Sequence, residues 1–178
     1  MRYAPVHHEL TISPVPLQQS PDTTRNSFLK SIRTQTTLPT SIRELAICRV
    51  AAINRAWYEW DSHSPILESA NVLSPAAIEY LKTQVPGDAT TEHTPTGGDK
   101  AGKEVLFDEK HLAVLEYTDA MTKGCVVPKR VFDQLKALFS EREVVELTAS
   151  VAAYNCVSRF LVALDVGEMA DKYGVDMS

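Results

Sequence analysis

The fold is decided by one stretch of the sequence, Ser41-Ile42-Arg43-Glu44-Leu45-Ala46-Ile47-Cys48-Arg49-Val50-Ala51-Ala52-Ile53. Its apolar residues are nearly continuous, and a helix that is apolar on most of its surface is buried on most of its surface. Ser41 follows a proline and precedes Glu44 by three residues, which is the spacing of a capping box. The pattern therefore predicts a buried helix from Ser41 to about Ile53.

Further helices are predicted on both sides of this segment from caps, stops and apolar spacing. Their expected ranges are Asn26 to Thr34, Trp57 to Ala70, Ser74 to Gln84, Asp108 to Lys123, Pro128 to Phe139, and Ser140 to a stop at Gly167. No six-residue stretch alternates apolar and polar residues between turns, so no strand is predicted. We expect an all-α protein of about six or seven helices.

Proline and glycine divide the chain into one helical domain and its appendages. Four of the ten prolines fall in the first 23 residues, which predicts an extended N-terminal arm over residues 1–25. Four of the seven glycines cluster between residues 85 and 103, which predicts a flexible loop at 86–103. The helical domain then spans residues 26–166, and residues 167–178 form a C-terminal tail.

Composition and charge exclude several classes of protein. The 178 residues include 18 Lys and Arg against 23 Asp and Glu, a net charge of −5. The pI near 5.5 argues against nucleic acid as a partner, because phosphate binding depends on clustered basic residues. No apolar run approaches the ~18 residues of a membrane span, and the first nine residues lack the apolar core of a secretory signal. We therefore expect a cytoplasmic protein without a membrane partner.

The three cysteines, Cys48, Cys125 and Cys156, are widely spaced in the sequence. An odd number without a close pair fits neither a disulfide framework nor a Cys-x-x-Cys metal or redox motif. Cys48 and Cys156 both lie among apolar residues of predicted helices, so both are expected in the core.

The candidate chemistry lies around Glu59 and His63, which are one helical turn apart and can hydrogen-bond. A carboxylate beside an imidazole orients the ring and suits it to proton transfer. On an exposed face the same pair is an ordinary helix pair worth roughly 0.2–0.5 kcal/mol. Glu44, on the buried helix, needs a partner, which Arg43, Arg49 or His63 can supply. The sequence leaves open whether Glu44 or Glu59 faces His63.

Arg159 interrupts the apolar seam of the last long helix. It is expected either to pair with a buried acid or to point into a pocket and hold a carboxylate.

Three segments occur in the order found in the carboxymuconolactone decarboxylase family, and the chain resembles that family on them: Arg43-Glu44-Leu45-Ala46-Ile47-Cys48-Arg49-Val50-Ala51, Tyr58-Glu59-Trp60-x-x-His63-x-Pro65-Ile66, and Tyr154-Asn155-x-Val157-x-Arg159-Phe160-Leu161. The resemblance covers about residues 26–165. It implies the alkylhydroperoxidase D-like helical fold and a homo-oligomer, a dimer, trimer or hexamer. The long loop at 86–103 resembles fungal members.

In the peroxidase branch of that family, the glutamate is followed twelve residues later by Cys-x-x-Cys and then by a histidine. Here Glu44 and His63 match the glutamate and the histidine, but Ala56 and Glu59 occupy the cysteine positions. A disulfide reductase needs an attacking and a resolving thiol. The resemblance is therefore to the branch that lacks the cysteines.

The resemblance implies a cofactor-independent lyase that decarboxylates a small carboxylated lactone or related acid, with His63 as general acid/base beside Glu59 and Glu44. It needs no metal or organic cofactor, because the lactone carbonyl accepts the electrons. Substrate contacts are expected from Arg49, Arg159, Trp57, Trp60, Tyr154 and Asn155. Two alternatives remain open: a non-catalytic oligomer that binds a ligand or a partner protein, and a thiol-dependent peroxidase-like enzyme using a displaced cysteine such as Cys48.

Overall fold

The computed structural model describes residues 23–84 and 106–174. These residues form seven helices of nine or more residues and one short helix: α1 (Thr23–Thr34), α2 (Thr40–Ile53), α3 (Trp57–Ser69), α4 (Pro75–Thr83), α5 (Glu109–Gly124), α6 (Lys129–Leu138), α7 (Glu141–Ala163) and α8 (Met169–Tyr173). The same residues contain no strand, which confirms the all-α prediction. The predicted loop at 86–103 and nearly all of the predicted arm lie outside the described residues.

Helix α2 is the centre of the molecule and packs against α3, α4, α5 and α7. Every residue from Glu44 to Ala52 is buried. This confirms the buried helix that the continuous apolar run predicts. Two polar side chains, Glu44 and Arg49, are carried into the core with it, and each must find partners there.

The starts of α4 and α7 follow caps that the sequence contains. Ser74 accepts a hydrogen bond from the Ala77 amide and is followed by Pro75 at the first helical position. Ser140 and Glu143 form a reciprocal capping box at the start of α7. The prediction of a capping box at Ser41 and Glu44 is wrong, because α2 begins at Thr40 with Pro39 as its N-cap and has no side-chain cap hydrogen bond. Helix α2 stops where Arg55 adopts a left-handed backbone conformation, φ 53°. The short connection to α3 makes α2 and α3 neighbours.

Helix α7 has a buried face and an exposed face. Its buried face carries Val144, Leu147, Val151, Tyr154 and Ser158, at the predicted spacing of three and four residues. Its opposite face exposes the large apolar side chains of Val145 (67% exposed) and Phe160 (58%), and Leu164, directly after the helix, is 69% exposed. Cys156 lies on this outward face, so the prediction that it is a core residue is wrong; Cys48 is buried as predicted.

The segment predicted as a C-terminal tail contains α8, which packs on α3. Tyr173 stacks on Trp57 with ring centroids 5.0 Å apart, and its hydroxyl donates to Asp61 at 2.7 Å. None of the helices described here is long and apolar enough to cross a lipid bilayer.

Candidate active site

Glu44 and His63 meet in the interface between α2 and α3. The short link between these helices places the start of α2 beside the second half of α3. Glu44 Oε2 lies 2.7 Å from His63 Nδ1, within hydrogen-bonding distance. Glu44 is therefore the carboxylate that faces His63, which the sequence left undecided.

The Glu44 carboxylate also binds an arginine. Its other oxygen, Oε1, accepts a hydrogen bond from Arg43 Nε at 3.1 Å. Only 2% of the Glu44 side chain is exposed, so the charge needs compensation inside the protein. Arg43 and His63 provide it from the two sides of one carboxylate.

The two ring nitrogens of His63 have different surroundings. Nδ1 is engaged by Glu44, while Nε2 has no hydrogen-bond partner among the described residues. The imidazole side chain retains 11% of its surface exposed. A carboxylate at Nδ1 fixes the ring and its tautomer and compensates the charge that forms when Nε2 accepts a proton. Nε2 is therefore the atom positioned for proton exchange.

Tyr154, from α7, packs edge-on against the His63 ring, with centroids 4.9 Å apart and planes at 88°. Burial raises the pKa of Tyr154 to about 12; Glu44 and Glu59 add to this rise, and Arg33 and Arg43 oppose it. The phenol stays protonated at neutral pH and can donate a hydrogen bond.

Glu59 forms a second buried acid with different surroundings. Both of its carboxylate oxygens lie 3.1 Å from Ser158 Oγ, its one hydrogen-bond partner within residues 23–84 and 106–174. The residue is 2% exposed, and burial raises its pKa from 4.5 to about 8, although the hydrogen bond from Ser158 opposes the shift. Glu59 is therefore a neutral carboxylic acid at pH 7 and does not form the helix pair with His63 that the spacing allows.

Cys48 is buried on α2 in the same neighbourhood. Burial raises the pKa of its thiol well above the ordinary value of 9.0, and the negative charges of Glu44, Glu59 and Glu68 raise it further. A reactive thiol needs the opposite setting, an exposed site with nearby positive charge.

The expectation that Arg49 holds substrate needs correction. Its guanidinium forms a two-pronged ion pair with Asp119, at 2.6 and 2.9 Å, and donates to the carbonyls of Leu81 and Gln84. Its side chain is 1% exposed. A guanidinium so occupied joins α2, α4 and α5 and has no free edge for a ligand.

Arg159 and Asn155 also have partners within the fold. Arg159 is exposed and donates to the carbonyl oxygen and the side-chain oxygen of Asn155, at 2.7 and 3.0 Å. The prediction that Arg159 pairs with a buried acid or enters a pocket is therefore wrong. Asn155 also bonds Asn54 and Thr122, which links the ends of α2 and α5 to α7.

The two tryptophans, Trp57 and Trp60, lie in the first turn of α3. Trp60 is buried in the core and meets Trp57 edge-on at 6.5 Å. Trp57 is half-buried and faces α8 through Tyr173. Trp60 thus supplies apolar surroundings within the core, while Trp57 packs against the C-terminal helix.

Two residues of the cluster were not among the predicted site residues. Arg43 was considered only as a partner of Glu44, and Ser158 was not considered as a site residue. Ser158 follows Tyr154 by four residues on the buried face of α7. Helical periodicity could therefore have predicted that Ser158 lies on the same face as Tyr154. Within the described ranges, no three His, Cys, Asp or Glu side chains are grouped to hold a metal ion.

No protein-family model matches the chain, and no curated protein matches its sequence significantly. A solved structure does match: ATU0492 of Agrobacterium tumefaciens, a protein of unknown function named as a candidate antioxidant defence protein AhpD. The TM-score is 0.60 at 22% identity, over 81% of this chain and 88% of that one. The fold is AhpD-like. At this identity the likeness concerns the fold alone, and the AhpD-like arrangement agrees with the fold expected from the sequence motifs.

Proposed function

We propose that the protein is a cofactor-independent lyase that decarboxylates a small carboxylated lactone or related acid. The observation that carries this proposal is the hydrogen bond between Glu44 and His63 Nδ1, which leaves Nε2 for the substrate. General acid/base catalysis by a positioned side chain contributes typically about 10²- to 10⁴-fold to a rate. The resemblance to the decarboxylase family in three ordered motifs supports the same reaction class.

The reaction needs one proton and one electron sink. The bond between the ring carbon and the departing carboxylate breaks, CO₂ leaves, and the electron pair passes through the conjugated system to the lactone carbonyl oxygen. His63 Nε2 then delivers a proton to a carbon of the substrate, and the imidazole recovers its proton from solvent. Glu44, hydrogen-bonded to Nδ1, compensates the positive charge of the imidazole before the transfer.

Glu59 supplies a second proton-bearing group in this scheme. Its pKa of about 8 keeps it protonated at neutral pH, one helical turn before His63. Two acids with different environments take different roles in many active sites. Glu44 is the ionised partner of His63, and Glu59 is the neutral acid.

We further propose that the protein works as a homo-oligomer. The exposed face of α7 has Val145 at one end, Phe160 at the other, and the small side chains of Ala149, Ala152 and Cys156 between them. Such a face is self-complementary when a second copy packs antiparallel to it, because the large ends meet and the small middle allows close approach. Sedimentation equilibrium of the protein and of Ala152→Glu tests this: dissociation of an oligomer by Ala152→Glu is expected, and a monomeric parent protein contradicts it.

A proton NMR time course of 4-carboxymuconolactone with the purified protein tests the lyase proposal. The expected result is loss of the carboxylated species, with deuterium incorporated from heavy water, and loss of this activity in His63→Ala. The matched control is His111→Ala, because His111 is also a buried histidine beside a carboxylate, Asp108, but belongs to α5. Lack of turnover by the folded protein, or equal losses in both variants, contradicts the proposal for this substrate.

Peroxide reduction is the second candidate, and the name of the structural neighbour favours it. The displaced thiol nearest the acids is Cys48, whose raised pKa opposes thiolate formation. Reduction of an organic hydroperoxide with a dithiol as electron donor distinguishes the two candidates. The lyase proposal predicts no activity that depends on Cys48; a loss of peroxide reduction in Cys48→Ala favours the peroxidase.

A further inference from the structure

Arg43 has an unusual distribution of hydrogen bonds for an arginine that is largely buried. Nε donates to Glu44 at 3.1 Å, and the side chain is 11% exposed. Its two terminal nitrogens have no hydrogen-bond partner among the residues that the structure describes. A guanidinium offers five donors in a planar fork, so most of the binding capacity of Arg43 is unused.

Arg43 and His63 are joined through one carboxylate. One carboxylate, Glu44, binds Arg43 Nε through Oε1 at 3.1 Å and His63 Nδ1 through Oε2 at 2.7 Å. The guanidinium and the imidazole are therefore separated by a single planar carboxylate.

Tyr154 lies against His63, and α1, which carries Arg33, packs on α7, the helix of Tyr154. Among the charged groups that act on the Tyr154 hydroxyl, Arg33 has the largest effect, and Arg43 acts in the same direction. The Arg33 guanidinium is exposed and is tied to its own helix only through Nε, which donates to the Leu29 carbonyl at 3.2 Å. Tyr154 itself has a ring contact with His63 and, in the described part of the chain, no hydrogen-bond partner for its hydroxyl.

The charges around this cluster do not cancel. Arg33 and Arg43 contribute two positive charges, Glu44 contributes one negative charge, and Glu59 is neutral below about pH 8. The whole chain carries a net charge of −5, so a site with excess positive charge stands apart from its surroundings. Local fields of this kind attract anionic ligands.

We propose that Arg43, supported by Arg33 and the Tyr154 hydroxyl, anchors a carboxylate that the substrate retains, beside His63 Nε2. This inference rests on the proposed lyase function for the reaction, but anion binding itself does not depend on turnover. The anchored group is not the one that leaves as CO₂. Holding that group with an arginine stabilises the ground state more than the transition state and slows its departure.

A binding experiment without turnover tests the anchor. Succinate and its uncharged analogue succinamide are titrated into the ¹⁵N-histidine-labelled protein while the imidazole signals of His63 are followed. Succinate is expected to shift them saturably, and succinamide is not. Arg43→Gln should weaken succinate binding by about 10- to 100-fold, the loss expected for one charged hydrogen bond, and Arg33→Gln by less. The matched control is Arg130→Gln, an exposed arginine paired with Glu116.

Arg43→Lys guards against loss of folding in Arg43→Gln. It keeps the charge but lacks the fork, so intermediate binding is expected at an unchanged melting temperature. Equal binding of succinate and succinamide, no saturable shift in the parent protein, or parent-like binding in both Arg43 variants overturns the anchor. Succinate binding that depends on Arg43, without decarboxylation of 4-carboxymuconolactone, refutes the lyase proposal for that substrate and leaves the anchor intact. Decarboxylation of 4-carboxymuconolactone with an unchanged KM in Arg43→Gln refutes the anchor and leaves the lyase proposal intact.

Discussion

Two arginines on the same helix have opposite surroundings. Arg49 is closed in by Asp119 and two backbone carbonyls, so nearly all of its hydrogen-bonding capacity is used within the protein. Arg43 binds only Glu44 and leaves its terminal nitrogens without partners in the described residues. The first arrangement joins three helices, and the second leaves capacity for a ligand. Both arginine side chains have little exposed surface, 11% for Arg43 and 1% for Arg49. They differ in how many of their hydrogen-bond donors are already used within the protein.

The two buried acids of the site repeat this contrast. Glu44 is bound by Arg43 and His63, which compensate a carboxylate charge in the protein interior. Among the described residues, Glu59 has only the Ser158 hydroxyl as a hydrogen-bond partner, and burial raises its pKa to about 8. One helix pair therefore holds an ionised and a neutral carboxyl group.

Removal of Arg49 should have the largest effect on stability. Arg49→Met leaves Asp119 as an unpaired, largely buried charge, and breaking a buried ion pair from one side costs about 3–5 kcal/mol. Arg43→Met should cost about half as much or less, because Glu44 keeps His63 as a partner. The measurement is the free energy of unfolding in urea at pH 7.

The double variant Arg49→Met/Asp119→Leu is the control for this comparison. Because it removes both charges, it should recover much of the loss. Equal destabilisation by Arg49→Met and Arg43→Met would contradict the division between the closed and the open arginine.

Glu59 should make stability decrease with pH in a defined window. Its pKa in the folded protein is about 8 against an ordinary value of 4.5, so the folded state binds this proton more tightly than the unfolded state. The resulting stabilisation is complete below about pH 4.5 and is lost as the pH rises through 8, by roughly 1.4 kcal/mol per unit at most. Unfolding free energies from pH 5 to pH 9 measure it.

Glu59→Gln keeps the hydrogen bond to Ser158 and removes the titration. Its stability should vary less with pH than that of the parent protein, and it should be at least as stable above pH 8. Parallel pH profiles for the two proteins would show that Glu59 is already ionised across this range.

Glu44→Gln should reduce activity more than stability. The amide can accept a hydrogen bond from His63 but does not compensate a positive ring, so kcat should fall by roughly 10- to 100-fold, as for loss of a charged hydrogen bond. Steady-state decarboxylation measures the effect. Asp108→Asn, beside His111, is the matched control and should leave kcat unchanged; an unchanged kcat in Glu44→Gln would remove Glu44 from the mechanism.

Thr118 should give the smallest effect, with the opposite sign. It is fully buried on α5, and its hydroxyl has no hydrogen-bond partner in the described structure. Thr118→Val replaces that hydroxyl with a methyl group of similar size, so stability should stay the same or rise by up to about 1 kcal/mol. A loss of more than that in urea unfolding would indicate that the hydroxyl has a partner.

The sequence predicted most of the fold because the helix signals are local. The caps at Ser74 and Ser140 and the apolar run of α2 determine boundaries and burial without knowledge of the neighbours. The outward position of Cys156 could not be read in the same way, because two faces of α7 are both apolar and the sequence does not state which one meets α2.

The sequence predicted that Glu44, Glu59 and His63 lie near one another, but it did not predict which of them pair. Helical spacing brings Glu59 and His63 to one face, yet tertiary contacts give Glu44 to His63 and Ser158 to Glu59. The role of Arg49 was hidden for the same reason: Asp119 lies seventy residues away in the sequence. Contacts between residues on different helices determine which charged side chains remain available to a ligand.

In the proposed reaction, Glu44 and His63 act as one unit on the proton of the substrate. The most direct test is a double-mutant cycle on the decarboxylation rate of 4-carboxymuconolactone, using Glu44→Gln, His63→Asn and the combined variant. We expect kcat of the combined variant to be no lower than that of His63→Asn alone, within about twofold, because Glu44 affects proton transfer through the imidazole. Two losses that multiply, or no loss in His63→Asn, would contradict it.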